Sequence, residues 1–251
     1  MTSPQSTIIT IKNLSFTYPD GTSVFDSLSL DIISGETLGI IGPNGAGKST
    51  LLLHLNGIFR GKGTVKIADM DINTRNIPKI RNKVGLVFQD PDTQLFMPTV
   101  LEDVAFGPLN MGYSVEKAKA SALEALDKVQ MKEHAGKCPH HLSLGQKKRV
   151  AIAAVLAMSP EIVVFDEPSS NLDPRQRRIL INFINHMECT RIIATHDLEM
   201  VLEVCSRVVL LSGGTIITTG APHDILARKT LLEEHSLEVP CSLKNGDRLE
   251  Y

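Results

Sequence analysis

The chain has 251 residues and a formal net charge of −2, and 42% of its residues are hydrophobic. This length fits one large α/β domain with a smaller inserted lobe, and it can bury an ample core without disulfides or metals. The small net charge gives no electrostatic support for binding nucleic acid or an acidic membrane surface.

The cysteines indicate a reducing compartment, and the apolar runs are too short for a membrane-spanning helix. The four cysteines show no CxxC spacing, which favours reduced structural thiols. The N-terminal region lacks a basic segment followed by an apolar stretch, so no signal peptide is predicted. No apolar run reaches the roughly 18–20 residues that a spanning helix needs. We therefore expect a chain that does not cross a membrane by itself but can dock on a protein that does.

In chain order, strand and helix patterns alternate. Runs 37–41 and 162–165 are apolar without interruption, which is typical of strands buried on both faces of a parallel sheet. The predicted strands are 8–16, a strand pair within 24–33, 37–41, 63–67, 83–88, 162–165, 192–195 and 208–211. The predicted helices are 49–58, 114–133 with Ser114 as the N-cap, and 144–158.

The order of these elements predicts the domain organisation. Alternating strands and helices imply a mainly parallel sheet. The helical stretch interrupts this alternation, so we predict an inserted helical lobe at 90–158. The nucleotide-binding core is then 1–89 together with 159–225, and residues 226–251 are a short polar tail.

A glycine-rich loop follows the first buried strand. Residues 42–49, GPNGAGKS, match GxxxxGK[ST] and lie between a predicted strand and a predicted helix. Backbone N–H groups of such a loop bind phosphate oxygens. We expect Lys48 to reach the β and γ phosphates and the hydroxyl of Ser49 to bind Mg²⁺. The predicted phosphate-binding residues are Gly42, Pro43, Asn44, Gly45, Ala46, Gly47, Lys48, Ser49 and Thr50.

Two acids end the second buried strand. Carboxylates at the carboxyl end of a sheet strand lie where ligands bind in α/β proteins. We expect Asp166 to hold Mg²⁺, through water, and Glu167 to polarise the attacking water. Alternation along the strand predicts that the two side chains point in different directions.

Further segments resemble the motifs of ATP-binding-cassette (ABC) ATPases. Residues 142–149, LSLGQKKR, resemble the LSGGQ signature. Gln89 resembles the Q-loop glutamine, residues 170–173 the D-loop, His196 the switch histidine and Tyr18 the A-loop aromatic residue. Together with the phosphate loop and the acidic strand, these elements occur in the order that the family shows.

The resemblance implies a fold and a dimeric mechanism. The implied fold is an α/β P-loop NTPase (RecA-like) core with an antiparallel β subdomain and an inserted helical subdomain. Two subunits would face each other head to tail, and each ATP would lie between one phosphate loop and the partner's signature segment. The signature residues implied to bind ATP in trans are Ser143, Gly145 and Gln146.

The same resemblance assigns the remaining site residues. Tyr18 would stack on adenine, and His196 would hydrogen-bond the γ-phosphate and hold Glu167 and water in line. Gln89 would act in catalysis and, with Ser49 and Asp166, bind Mg²⁺. Asp173 would contact the opposite subunit. The sequence departs from the signature at Leu144, where the family has its first glycine.

Residues 88–112 look like the ATPases of energy-coupling-factor (ECF) uptake systems, most of all the cobalt/nickel branch. This implies an ATPase dimer at the cytoplasmic face of the membrane, with a transmembrane scaffold (T) component and a substrate-binding membrane component, and no nucleic acid. The sequence leaves open whether the dimer is a homodimer or a heterodimer; a single ATPase gene would make it a homodimer, which we favour. The apolar residues expected to form a groove for a partner helix are Leu95, Phe96, Met97, Val100 and Val104.

Several alternatives stay open at this point. The segment does not separate cobalt from nickel, and the chain is alternatively an ATPase for vitamin import or a soluble ABC ATPase of DNA repair or translation. The last class usually has coiled-coil insertions or two cassettes in one chain, and this sequence has neither. Residues 138–141, CPHH, are interpreted as a linker rather than a metal site, because adjacent histidines and a proline give poor ligand geometry.

Overall fold

The computed structural model describes residues 6–244. In this part of the chain the strands are β1 (Thr7–Thr17), β2 (Ser23–Ile33), β3 (Thr37–Ile41), β4 (Lys62–Ile67), β5 (Met70–Asp71), β6 (Val84–Val87), β7 (Ile162–Asp166), β8 (Thr190–Ala194), β9 (Arg207–Ser212) and β10 (Thr215–Gly220). The α-helices are α1 (Lys48–Leu55), α2 (Ile77–Lys83), α3 (Val100–Asn110), α4 (Val115–Lys128), α5 (Leu144–Leu156), α6 (Pro174–Asn185), α7 (Leu198–Val204), α8 (Pro222–Leu226), α9 (Lys229–Glu234) and α10 (Cys241–Lys244).

The chain divides into two compact units. Among the described residues, the first unit contains 6–80 and 188–244, and the second unit is Arg81–Met187. The predicted helical lobe, 90–158, lies inside the second unit. The borders drawn from the sequence stay a prediction.

Two sheets build the first unit. One is antiparallel, with the strand order β2-β1-β4-β5. In the other, β3 pairs in parallel with both β8 and β9, and β10 pairs with β9 in the antiparallel sense. All five residues of β3 are buried, as the uninterrupted apolar run predicted. The strand therefore provides a rigid base for the loop that follows it.

Helices dominate the second unit. Here β6 and β7 pair in parallel, and α3, α4 and α5 pack against one another. Ser114 caps α4 by accepting a hydrogen bond from the N–H of Lys117, which confirms its prediction as the N-cap. No helix within residues 6–244 has both the length and the apolar character needed to span a membrane.

The structure corrects or extends three sequence-based expectations. The predicted strand pair within 24–33 is one strand, β2. Helices α6 and α7 had not been predicted. The region interpreted as a polar tail begins at the end of α8 and includes α9 and α10. Leu226 of α8 and Leu232 of α9, both with 0% exposure, belong to a buried cluster, and Leu243 of α10 packs against it. Residues 245–251 of that tail lie outside the described residues.

Candidate functional site

The phosphate loop of the first unit is shaped by its glycines and closed around a lysine. Gly47 lies in the left-handed region at φ 99° and begins α1; a Cβ there would lie 2.8 Å from the ring of Phe25. The ammonium of Lys48 donates hydrogen bonds to the carbonyl oxygens of Gly42 at 2.7 Å and Pro43 at 3.1 Å. This arrangement places a buried cation beside the N-terminus of a helix, where phosphate groups bind.

Tyr18 lies directly after β1 and reaches the helix that follows the loop. Its hydroxyl is hydrogen-bonded to the hydroxyl of Thr50 at 2.8 Å. Its ring makes edge-on contacts with Phe16 and Phe59 at centroid distances of 5.1 and 5.5 Å. The aromatic residue predicted to contact a base is thus connected by a hydrogen bond to the end of the predicted phosphate-binding segment.

His196 belongs to the same unit and the same edge of its sheet. It follows β8, which runs parallel to β3 and pairs Ala194 with Ile40. The N–H of Thr195 extends this pairing with a hydrogen bond to the carbonyl oxygen of Ile40 at 3.1 Å. The imidazole of His196 is exposed at the carboxyl end of the strand, where ligands of α/β sheets bind.

In the second unit, Gln89 and the two acids lie beyond the ends of neighbouring parallel strands. Val87 of β6 is paired with Phe165 of β7, and both strands end within two residues of these partners. Gln89 is exposed and Asp166 is partly exposed, whereas Glu167 retains only 8% exposure. The amide and the carboxylates therefore occupy the same edge of this strand pair.

Glu167 has an unusual backbone conformation. Its φ is 44°, in the left-handed region that side chains other than glycine seldom adopt. Asp166 is the last residue of β7, so a sharp change of backbone direction, rather than simple strand alternation, separates the two acids.

A buried lysine holds the turn that starts at Glu167. The ammonium of Lys148 donates hydrogen bonds to the carbonyl oxygens of Glu167, Pro168 and Ser170 at 3.2, 3.0 and 2.9 Å, and it lies 3.0 Å from the Ser170 hydroxyl. Burial lowers the pKa of Lys148 to about 8, while the negative charges of Glu167 and Asp90 oppose this effect. The sequence analysis missed this residue, because nothing in its spacing identifies the carbonyl groups that it binds.

The signature segment forms the N-terminus of α5. The hydroxyl of Ser143 accepts from the N–H of Gln146, and the Gln146 amide oxygen accepts from the N–H of Ser143 at 2.9 Å. Gly145 is buried, and a Cβ there would lie 2.8 Å from the side chain of Gln176. Ser143 and Leu144 remain exposed, so the first residues of this helix are accessible to a ligand or partner.

Asp173 has a local role that the motif did not predict. Its carboxylate caps α6 by accepting from the N–H of Gln176 at 2.9 Å, and Pro174 occupies the first turn. Asp173 is exposed, and its contact with a second subunit stays a prediction.

The predicted partner groove is only partly correct. Leu95, Val100 and Val104 are 4%, 0% and 0% exposed, so they belong to the core of the second unit and not to a groove. Phe96 is 62% exposed and packs edge-on against Phe106, which is 40% exposed, at 5.0 Å.

A buried carboxylate orders the backbone under this exposed pair. Oδ1 of Asp103 accepts hydrogen bonds from the N–H groups of Phe96 and Met97, both at 2.9 Å. Burial raises the pKa of Asp103. The sequence analysis missed Phe106 and Leu109, which extend the exposed apolar surface along α3. Met97, also predicted for the groove, is half-buried next to Phe96. We call the exposed Phe96, Phe106 and Leu109, together with the half-buried Met97, the apolar patch.

The structure therefore distributes the predicted site residues over both units. The phosphate loop, Tyr18 and His196 belong to the first unit. Gln89, the two acids, the signature segment and Asp173 belong to the second. Across residues 6–244, no group of three or more His, Cys, Asp or Glu residues could hold a metal ion by itself, and this includes the segment 138–141.

Comparison with known proteins gives the same assignment as the motifs. The profile of the ABC transporter family matches residues 25–170. An ABC transporter ATP-binding protein of Streptomyces avermitilis is 50% identical over 92% of this chain and 88% of its own length. The energy-coupling factor transporter ATP-binding protein EcfA of Carboxydothermus hydrogenoformans is 49% identical over 94% of this chain and 88% of its own length.

Solved structures agree in fold. The structure of cbiO1 from Clostridium perfringens, part of the ABC transporter complex cbiONQ, superimposes with a TM-score of 0.82 at 34% identity and covers 97% of this chain and 100% of its own. A dimeric ATP-binding cassette, MJ0796, bound to ADP and phosphate gives 0.76 at 30% identity, with 85% of this chain and 98% of that chain covered. The chain belongs to the ABC transporter family and is an ATP-binding, ATP-hydrolysing member of it.

Proposed function

We propose that this protein is the ATPase subunit of an ECF-type importer that energises uptake of cobalt or nickel. The observation that carries the proposal is the segment 88–112, whose sequence resembles the cobalt/nickel branch. Its exposed face in the structure is the apolar patch. The similarity to EcfA proteins and to cbiO1 supports the transporter class.

ATP binding is assigned to the loop from Gly42 to Thr50. The backbone N–H groups at the start of α1 would bind the phosphates, and the ammonium of Lys48 would exchange its carbonyl partners for phosphate oxygens. Tyr18 would stack on adenine, and its hydrogen bond to Thr50 fixes one side of the ring.

The donor set proposed for Mg²⁺ fits that ion. Ser49, Gln89 and Asp166 offer hydroxyl, amide and carboxylate oxygens, which are the hard ligands that Mg²⁺ prefers. When bound, Mg²⁺ neutralises charge that develops on the β and γ phosphates. Glu167 would polarise the attacking water, and His196 would hold the γ-phosphate in position.

We assign the other half of each ATP site to a second copy of the chain. Ser143, Gly145 and Gln146 lie in the first turn of α5 or cap it, so hydroxyl and N–H donors are available at a helix N-terminus. Asp173 begins α6 and would contact the opposite subunit. ATP bound between them would thus hold two copies of the chain together.

The apolar patch is proposed as the contact with the transmembrane scaffold component at the cytoplasmic face. Exposed aromatic side chains held on an ordered backbone suit insertion of a short partner helix. The hydrogen bonds that Asp103 accepts from the N–H groups of Phe96 and Met97 provide that order. The ion itself would be selected by a substrate-binding membrane component.

Co-expression with membrane proteins encoded by the neighbouring genes tests the proposal. Phe96→Asp should abolish co-purification with the scaffold component, whereas Ile217→Asp, which alters an exposed apolar residue outside the patch, should not. Cells with the complete system should accumulate radiolabelled cobalt or nickel, and Glu167→Gln should stop this accumulation. A wholly soluble protein would refute the transporter assignment, and uptake of a vitamin instead would refute the substrate.

A further inference from the structure

A pocket of about 280 Å³ opens in the second unit beside α6, the end of α4 and the middle of α5. Its apolar lining includes Ile152, Leu180 and Phe183. The volume corresponds to the lower end of the range for small-molecule sites. None of the ATP-site residues proposed above lines this pocket.

The charged groups of the pocket have one sign. The lining includes the cations Lys128 and Arg149 and the imidazole of His186, but no aspartate or glutamate. The ammonium of Lys128 is paired with Glu124 at 2.8 Å, so its charge is already compensated. Arg149 differs, because Nε is buried and no hydrogen-bond partner for it exists in residues 6–244.

The Arg149 guanidinium is partly desolvated, and its Nε has no compensating hydrogen bond within residues 6–244. Burial lowers the pKa of Arg149, and no acidic neighbour among the described residues opposes this effect. Arg149 as a whole is half-buried, and an anion next to a partly desolvated cation offsets the cost of desolvation. The planar donor fork of arginine fits a carboxylate in a bidentate manner. The adjoining apolar wall fits a flat hydrocarbon body.

We propose that this pocket is a binding site for a small anion with a flat apolar body, such as an aromatic carboxylate. The carboxylate pairs with Arg149, and the ring system packs against Leu180 and Phe183. Arg149 ends the signature segment, but no residue proposed to bind ATP lines the pocket and the proposal does not depend on the transported substrate, so it can be tested independently of the proposed function.

Two probes of equal shape and different charge test the proposal: naphthalene-2-carboxylate and naphthalene-2-carboxamide. Binding is measured by calorimetry on the full chain with saturating ADP, so that the nucleotide site is occupied. The carboxylate should bind about ten- to a hundredfold more tightly than the amide, as expected for a charge-assisted pair. Arg149→Met should remove this preference while the amide still binds.

Two further variants keep the result interpretable. Asn182 is an exposed residue of the pocket lining, so Asn182→Trp should block both probes without disturbing the core. Lys119→Met removes an exposed cation of α4 that does not line the pocket and should leave both affinities unchanged. Equal affinity for the two probes, an undiminished preference in Arg149→Met, or full binding by Asn182→Trp would overturn the proposal. If Arg149→Met does not fold, the probe pair and Asn182→Trp decide the question.

Discussion

Replacing Lys148 by methionine removes the ammonium that holds the turn after β7 but keeps the length of the side chain. Four acceptors lose their donor: the carbonyl oxygens of Glu167, Pro168 and Ser170, and the Ser170 hydroxyl. The carbonyl of Glu167 keeps two bonds, from the hydroxyl and the N–H of Ser170 at 2.9 and 3.2 Å. The carbonyls of Pro168 and Ser170 are left without this donor, at a cost of about 1–3 kcal/mol each.

A second effect of opposite sign offsets part of this cost. The fall in the pKa of Lys148 from 10.5 to about 8 means that burying its charge costs about 3 kcal/mol, at 1.36 kcal/mol per pH unit. Methionine carries no charge and avoids this cost. The free energy of unfolding at neutral pH should therefore change by no more than about 3 kcal/mol. Turnover should fall by about 10- to 100-fold, because the backbone that positions Glu167 is released.

The wild-type protein should show a matching pH dependence. Above pH 8 the folded protein loses the Lys148 proton, whereas the unfolded chain keeps it up to about pH 10.5. The unfolded state binds more protons in this interval, so the contribution of Lys148 makes the free energy of unfolding rise with pH. Turnover should fall in the same interval, because the neutral amine has two N–H donors instead of the three of the ammonium and no longer carries a charge, so it holds the turn less firmly.

Steady-state ATPase assays and urea unfolding from about pH 6.5 to 9.5 separate these effects. Lys147→Met is the matched control, since Lys147 is the neighbouring residue of α5 and forms an ion pair with the half-exposed Asp92 at 2.7 Å. Such pairs contribute little, about 0–1 kcal/mol. If Lys148→Met turns over ATP at the wild-type rate, or if Lys147→Met is equally impaired, the positioning role of Lys148 is wrong.

Three further substitutions examine the proposed ATP site. Lys48→Ala should weaken ATP binding by about 10- to 100-fold through loss of a charge-assisted bond, and an unchanged affinity in a fluorescent-nucleotide titration would exclude Lys48 from phosphate binding. Glu167→Gln should bind ATP normally, lower turnover by about 10²–10⁴ and accumulate an ATP-bound dimer in size-exclusion chromatography; wild-type turnover would remove Glu167 from its role. Ser143→Arg should reduce ATP-dependent dimerisation in sedimentation experiments while the monomer still binds ATP, and undiminished dimerisation would contradict the trans site.

Much of the fold could be predicted because its signals are local. The apolar runs of β3 and β7 and the glycine pattern after β3 specify a strand and a tight phosphate loop. The signal for α6 was also present, since Asp173 and Pro174 are typical of a helix start, but it had been interpreted only as part of a motif. Helices α8 to α10 have 4 to 6 residues, too few for helical periodicity to be recognised.

The predicted partner groove was wrong at Val100 and Val104, because it was inferred from the family resemblance and not from the helical spacing of these residues. Val100 and Val104 are four positions apart on α3, the spacing of a helix face that packs on a core. Thr99, which forms a capping box with Glu102, marks the start of that helix. Phe96 precedes the cap and so lies outside the helical pattern. These signals favour a buried Val100 and Val104 and an exposed Phe96, which is what the structure has.

The left-handed backbone conformation of Glu167 could not be predicted from the sequence. A left-handed residue other than glycine costs about 1–3 kcal/mol and persists only where its surroundings enforce it. The surroundings are the bonds from Lys148 and Ser170 to its carbonyl oxygen. Lys148 lies 19 residues earlier, on α5, so the conformation of the proposed catalytic residue depends on a tertiary contact. The helix that begins with the signature segment therefore also holds the backbone of Glu167, and motifs interpreted one by one do not reveal this connection.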